Sequence, residues 1–243
     1  MVSSERKQSM TETVKKSAPT ADYDLAPFTR DQIARLEIRS GRPLIVSDAD
    51  EVLVRFADPL RSFLETRDLY FELTDYRLVG NVRRRHNNQP VEKLELFGLI
   101  DDFFAETVDS MPMVHGAIEA LTTLSERADV VILTNVPDTY RERRAQAFRK
   151  AGLDFPVVAN TGLKGTPVRA LRERAQGPII FVDDIDKHIA SVAETVPDSY
   201  RVHFVADEKL AAVCERAEHS HHRSDCWRRT GDAIATFLAA AGY

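Results

Sequence analysis

Leu44-Ile45-Val46-Ser47-Asp48-Ala49-Asp50-Glu51-Val52-Leu53 is the stretch from which the rest of the chain is read. A short apolar run breaks off at two aspartates one residue apart and resumes at Val52-Leu53, as a buried strand does when it delivers carboxylates to a sheet edge. Two carboxylates facing one cavity repel each other, so keeping both ionised favours a nearby cation, a hydrogen-bond network or a shared proton. Oxygen ligands alone suit a hard cation such as Mg2+ better than zinc, which takes His or Cys. Asp48 and Asp50 would equally serve as caps of the next turn or as solvated side chains, because so short a pattern recurs by chance. The rest of the chain decides between these readings.

The chain has 243 residues, of which 43% are hydrophobic and 29% charged, enough to bury the core of one large domain or of a domain with an insertion. A formal net charge of -5 implies no sustained basic surface and so no nucleic-acid partner, while leaving room for a local basic cluster that holds a small phosphate. Cys214 and Cys226 form no CxxC or other paired spacing, which points to free thiols in a reducing compartment. No apolar run is long enough to cross a bilayer, and residues 1–27 lack an apolar signal core, so a cytoplasmic protein without a membrane partner is expected. Residues 1–27 carry mixed charges and few large apolar groups, and read as a disordered tail.

Working outward, Thr29 as an N-cap with Ile33, Leu36 and Ile38 predicts a short helix over 29–38, ended by Gly41 and Pro43. Beyond the Asp pair, Leu60, Phe63 and Leu64 predict a helix over 59–66. Tyr70, Phe71, Leu73, Tyr76, Leu78 and Val82 fit a strand better than a helix and predict a hairpin over 69–85 that turns at Gly80-Asn81, and a helix follows over 91–104. From Pro112 onward helix and strand alternate, the rhythm of a parallel sheet covered on both faces. Helices are expected over 114–127, 139–151, 167–175, 185–194, 208–216 and 232–240, with strands over 130–133, 156–159, 179–182 and 200–205. Three apolar strands end in polar residues: Asp48 with Asp50, Thr134 with Asn135, and Asp183 with Asp184. In a doubly wound sheet ligands bind outside the carboxyl ends of the strands, so these ends can meet in one crevice.

In this order the motifs resemble those of the haloacid dehalogenase (HAD) superfamily. An apolar strand followed by Asp-x-Asp-x-Thr/Val is matched by Asp48-Ala49-Asp50-Glu51-Val52. A strand ending in Thr or Ser is matched by Val130-Val131-Ile132-Leu133-Thr134, a lysine at a helix start by Lys164 in Gly162-Leu163-Lys164-Gly165-Thr166-Pro167, and a strand ending in acids by Ile179-Ile180-Phe181-Val182-Asp183-Asp184. Each motif alone is weak; four in the right order on the right elements are strong together. Glu51 departs from the pattern, because many family members have Gly there, and no role for it is apparent in the sequence.

The resemblance implies a Rossmann-like α/β core over 28–56 and 112–243, with a small, mainly helical cap over 57–111 inserted after the first strand. It further implies a Mg2+-dependent phosphatase acting on a small phosphorylated metabolite. Asp48 would be the nucleophile that forms an aspartyl-phosphate, and Asp50 the acid and then the base. Thr134, Asn135 and Lys164 would hold the phosphoryl oxygens, and Asp48, the Asp50 backbone carbonyl, Asp183 and Asp184, the last through a water, would hold Mg2+. A dehalogenase or a phosphomutase shares the same frame, and Asp50 speaks against the former; a catalytically silent protein that senses a phosphate ligand is the alternative outside enzymology. Arg83, Arg84 and Arg85 either meet an anionic substrate or form a solvated basic turn. Cys214, His219, His221, His222 and Cys226 match no zinc-site spacing and read as a flexible polar loop before Trp227.

Overall fold

A computed structural model of the chain describes residues 25–72 and 77–243. The expected tail over 1–27 lies outside the described residues up to position 24, as do Leu73 and Tyr76 of the expected hairpin.

β1 (Leu44–Ser47) is wholly buried and runs parallel to β4 (Asp129–Thr134) on one side and β6 (Ile179–Asp183) on the other. β5 (Val157–Ala159) extends the sheet beyond β4, and β7 (Tyr200–Phe204) and β8 (His222–Ser224) extend it beyond β6, giving the order β5-β4-β1-β6-β7-β8 with every pairing parallel. Successive side chains of a strand point to opposite faces, and this alternation divides the core. Ile45, Ile132 and Ile180 join one cluster, while Leu44, Val46, Val131, Leu133 and Phe181 join another. The first cluster is covered by α4 (Ala117–Ser125), α5 (Arg141–Ala151, entered through a 3-10 turn at Asp138–Tyr140) and α9 (Trp227–Ala240). The second lies under α1 (Pro27–Ala34), α6 (Gly165–Ala175) and α7 (Asp186–Thr195). The short helix α8 (Glu208–Val213) follows β7. A parallel sheet buried on both faces explains why its strands read as continuous apolar runs.

Between β1 and β4 the chain makes α2 (Ala57–Glu65), an antiparallel pair of β2 (Leu69–Phe71) with β3 (Val82–Arg84), and α3 (Lys93–Thr107). Leu60, Phe63, Leu64, Phe103 and Phe104 carry the first core cluster into this insert, with the Phe103 ring set edge-on to Phe56 and Phe63.

Three expectations shift. The first helix begins at Pro27, where a proline needs no partner for its missing N–H, and Thr29 is a buried helical residue whose hydroxyl donates to the Ala159 carbonyl at 2.9 Å. The polar segment before Trp227 contains an edge strand, β8, which pairs through its backbone and has no apolar alternation to betray it. The last helix starts at Trp227, not at 232: Gly231 sits inside it where a Cβ would lie 3.5 Å from Ala120 of α4, and Trp227 anchors it, with the indole N–H donating to the Val52 carbonyl at 2.7 Å.

Candidate active site

Counted among the sheet strands alone, the order is 3-2-1-4-5-6, so the winding reverses between β1 and β6, the place where open α/β sheets bind ligands. The register pairs Ser47 with Val182, and the Asp48 N–H donates to the Val182 carbonyl at 2.8 Å, which brings Asp48 beside Asp183 at this switch point. Lys164, at the N-cap of α6, completes the group: its Nζ lies 2.6 Å from Asp48 Oδ1 and 2.8 Å from Asp183 Oδ2, with the whole side chain 1% exposed. It reaches the site because α6 starts hard against α7. A Cβ on Gly165 would fall 2.3 Å from the Ser191 carbonyl oxygen, and the Gly165 N–H donates to Ser191 Oγ at 3.0 Å.

Burial raises the carboxyls of Asp48 and Asp183, and Lys164 only partly opposes it. For Lys164, burial alone would lower the ammonium, but Asp183 and Asp48 outweigh it and keep the group charged. Asp48, Asp183 and Asp184 each offer a carboxylate oxygen within 4.8 Å of the others. An all-oxygen donor set with more carboxylates than cations fits a hard divalent cation. The second oxygen of Asp183 accepts from the Ile185 N–H at 2.9 Å, which fixes its orientation.

Asp50 meets Arg144, which the sequence did not single out. The Arg144 side chain, from α5, is fully buried; Nη2 bonds Asp50 Oδ1 at 2.9 Å, and the guanidinium carbon lies 5.7 Å from the Phe104 ring centre and 5.8 Å from that of Phe148. Burial raises the Asp50 carboxyl, with Arg144 pulling the other way. The available signal was position: Arg144, Ala145 and Phe148 share the buried face of an otherwise charged helix.

Glu51 also has a role. Its φ of 57° is left-handed, the conformation glycine adopts freely. Its buried carboxylate accepts from the N–H groups of Phe56 and Ala57, both at 2.7 Å, and from Asp207 at 2.9 Å, so it caps α2 and ties the loop after β7 to the loop after β1. Three bonds to an ionised acceptor offset the backbone strain.

Thr134 is fully buried at the end of β4, with Oγ1 accepting from the Val136 N–H at 3.2 Å. Asn135 bonds the Gly162 carbonyl at 3.0 Å and accepts from Asn160 at 2.9 Å, bracing the loop that carries Lys164. A cavity of about 240 Å3 opens over these strand ends and is lined by Asp48, Asp50, Asn135, Lys164 and Asp184, though not by Thr134. His188 of α7 also lines it, held neutral by burial and by Lys164, with its pKa pushed down to about 3. The arginine triplet faces elsewhere: Arg83 pairs with Glu72 at 2.6 Å, Arg84 with Glu95 at 2.5 Å and Arg85 with Glu65 at 3.1 Å. Among the described residues the His and Cys side chains of 214–226 gather no metal-ligand cluster, and neither cysteine forms a disulfide. No helix among the described residues is long and apolar enough to cross a membrane.

Solved structures share this architecture. A HAD family hydrolase from Deinococcus radiodurans R1, with bound phosphate and sodium, aligns over 84% of this chain and 99% of its own at a TM-score of 0.57 and 14% identity. The fold is haloacid dehalogenase-like. Two further structures with that fold are a predicted phosphoglycolate phosphatase from Haemophilus somnus and a HAD-hydrolase from Bacillus subtilis bound to magnesium. The first covers 80% of this chain and 97% of its own (TM-score 0.53, 16% identity), the second 81% and 99% (TM-score 0.53, 13% identity). No protein-family model and no curated protein sequence matches the chain.

Proposed function

We propose that the chain is a Mg2+-dependent phosphatase of the HAD superfamily, hydrolysing a small phosphorylated metabolite in a cytoplasmic setting. The observation that carries this reading is the Asp48–Lys164–Asp183 cluster at the sheet's switch point, with Asp50 two residues beyond the nucleophile. Asp48, Asp183, Asp184 and the Asp50 carbonyl are the residues suited to hold Mg2+, which would neutralise charge on the nucleophile and the phosphoryl group.

In the first half-reaction an Asp48 carboxylate oxygen attacks phosphorus, the bond to the leaving oxygen breaks, and Asp50 gives that oxygen its proton. The products are an alcohol and an aspartyl-phosphate on Asp48. In the second, Asp50 takes a proton from water as that water attacks the same phosphorus, which releases phosphate and restores both carboxyls. Lys164 supplies positive charge against the phosphoryl oxygens, while Thr134, buried behind the cavity lining with Oγ1 accepting from Val136, would have to turn its hydroxyl into the cavity to donate to them. Arg144 holds the Asp50 carboxyl in place. Residues 57–111 act as a cap on a core of 28–56 and 112–243, excluding water from the cavity and contributing selectivity.

Phosphate release from a panel of phosphorylated metabolites and from p-nitrophenyl phosphate should require Mg2+, disappear with a chelator, and be lost in Asp48→Asn. Halide release from 2-haloacids without phosphate release would replace this reading with a dehalogenase, and an Asp48→Asn protein as active as the wild type would remove Asp48 from the chemistry.

A further inference from the structure

The charged lining of the cavity lies at the strand ends: Asp48, Asp50, Asp184 and Lys164. Its other side has a different character. Phe56, Ala57, Phe71, Leu78 and Phe104, on or beside the inserted segment, face it with Leu210 of α8. Among the described residues lining the cavity, Lys164 is the cation, and it is already shared between Asp48 and Asp183. Five basic side chains of the insert pair with acids that do not line the cavity: besides the arginine triplet, Arg67 stacks on Phe63 and pairs with Glu106, and Arg61 pairs with Asp207 at 3.1 Å. Glu51 lines the cavity too, but both its oxygens are taken by backbone N–H groups.

From this division we infer that the substrate is a phosphate monoester whose alcohol part is uncharged, compact and apolar, such as an arylmethyl or short branched alkyl group. The inference rests on the phosphatase reading and concerns the part of the substrate that reading leaves open. A phosphoryl group at the strand ends leaves its ester substituent against Phe71, Leu78 and Phe104. An ionised carboxylate or second phosphate placed there would be desolvated with no cation among the described lining residues on that side to meet it, and a polyol would lose water with few partners to replace it. An aromatic or branched aliphatic group gains from the same burial. A volume of about 240 Å3 falls below the roughly 300–1,000 Å3 of sites for drug-sized ligands, which limits the group to a small one.

The test compares benzyl phosphate, glycerol phosphate and phosphoglycolate, monoesters of primary alcohols whose leaving groups are of similar chemistry, with Mg2+ present. It is paired with titration of 2-phenylethylphosphonate and 3-phosphonopropionate, which cannot be hydrolysed. Benzyl phosphate is expected to show kcat/KM on the order of tenfold or more above the other two, from burial of its ring. Phe71→Ala should lower that preference severalfold, and Leu78→Arg should raise kcat/KM for phosphoglycolate. A kcat/KM for glycerol phosphate or phosphoglycolate equal to or above that for benzyl phosphate overturns the inference and leaves the phosphatase reading standing. If neither these esters nor the wider metabolite panel with p-nitrophenyl phosphate is hydrolysed, the phosphatase reading falls and the phosphonates decide. Tighter binding of the phenylethyl compound sustains the apolar subsite, and equal or weaker binding removes it.

Discussion

At the scale of single residues, the site is held by charges that lack water and therefore depend on one another. Arg144 is fully buried and its partner is Asp50, so truncating the acid strands a guanidinium among Phe104, Phe148 and the helix backbone. Removing one partner of a buried pair costs about 3–5 kcal/mol, whereas replacing both by apolar groups is often close to neutral. Asp50→Ala should therefore lower the unfolding free energy by about 3 kcal/mol, and adding Arg144→Met should recover much of that loss, as read by urea denaturation. A double variant no more stable than Asp50→Ala would show that the pair is not coupled. Glu51 illustrates the same dependence: its glycine-like backbone conformation is offset by a carboxylate that accepts from three N–H groups beside the cavity.

At the scale of elements, function depends on close approach. Lys164 is delivered by the start of α6, and Gly165 allows that start to lie against the Ser191 carbonyl of α7. Gly165→Ala forces the helices apart, with an expected cost of about 1–3 kcal/mol and a lowered kcat, because Lys164 moves with its helix. A variant with wild-type stability and turnover would refute this account. On the opposite flank, Asp207 caps α8 by accepting from the Leu210 N–H at 2.8 Å and pairs with Arg61 of α2, joining insert to core. Burial alone would raise the Asp207 carboxyl, but the bonds from Arg61 and Leu210 outweigh it and hold it below the usual carboxylate range. A depressed folded value means that its stabilisation is complete above the unfolded value of about 3.9 and fades as the pH falls through the lower folded one. Asp207→Ala should thus cost about 1–2 kcal/mol at pH 7, with the gap from wild type closing below about pH 4 in denaturation curves taken across that range.

At the scale of the molecule, three strand ends, one helix start and an insert converge on one cavity, so a ligand bound there stabilises the native state of the whole. Mg2+ at one hundred times its dissociation constant should add about 2.7 kcal/mol to the stability and raise Tm in a calorimetric scan. The gain should vanish in a variant carrying Asp183→Asn and Asp184→Asn together; a Tm unmoved by Mg2+ in the wild type would speak against the cation site. The sheet and the order of its motifs were legible in the sequence because a strand buried on both faces is written as an apolar run, and a polar residue at its end marks where the sheet stops. β8 was not legible, because an edge strand held by backbone bonds leaves no hydrophobic pattern. Nor was the true start of α9, since Gly231 lies inside the helix as a packing contact against Ala120.

The sequence alone singled out Asp48, Asp50, Lys164, Asp183 and Asp184 as candidates, since short local patterns carry them, and the structure brings them together at the strand ends. The tertiary structure decided the rest: that Arg144 sits on Asp50, that Glu51 braces the loops, that Arg83, Arg84 and Arg85 turn away, and that the cavity is apolar opposite its acids. The physical reason is separation along the chain. Asp50 and Arg144 lie 94 residues apart, and Glu51 and Asp207 lie 156 apart. Contacts at such distances leave no periodic trace in one sequence and exist only once burial brings the segments together.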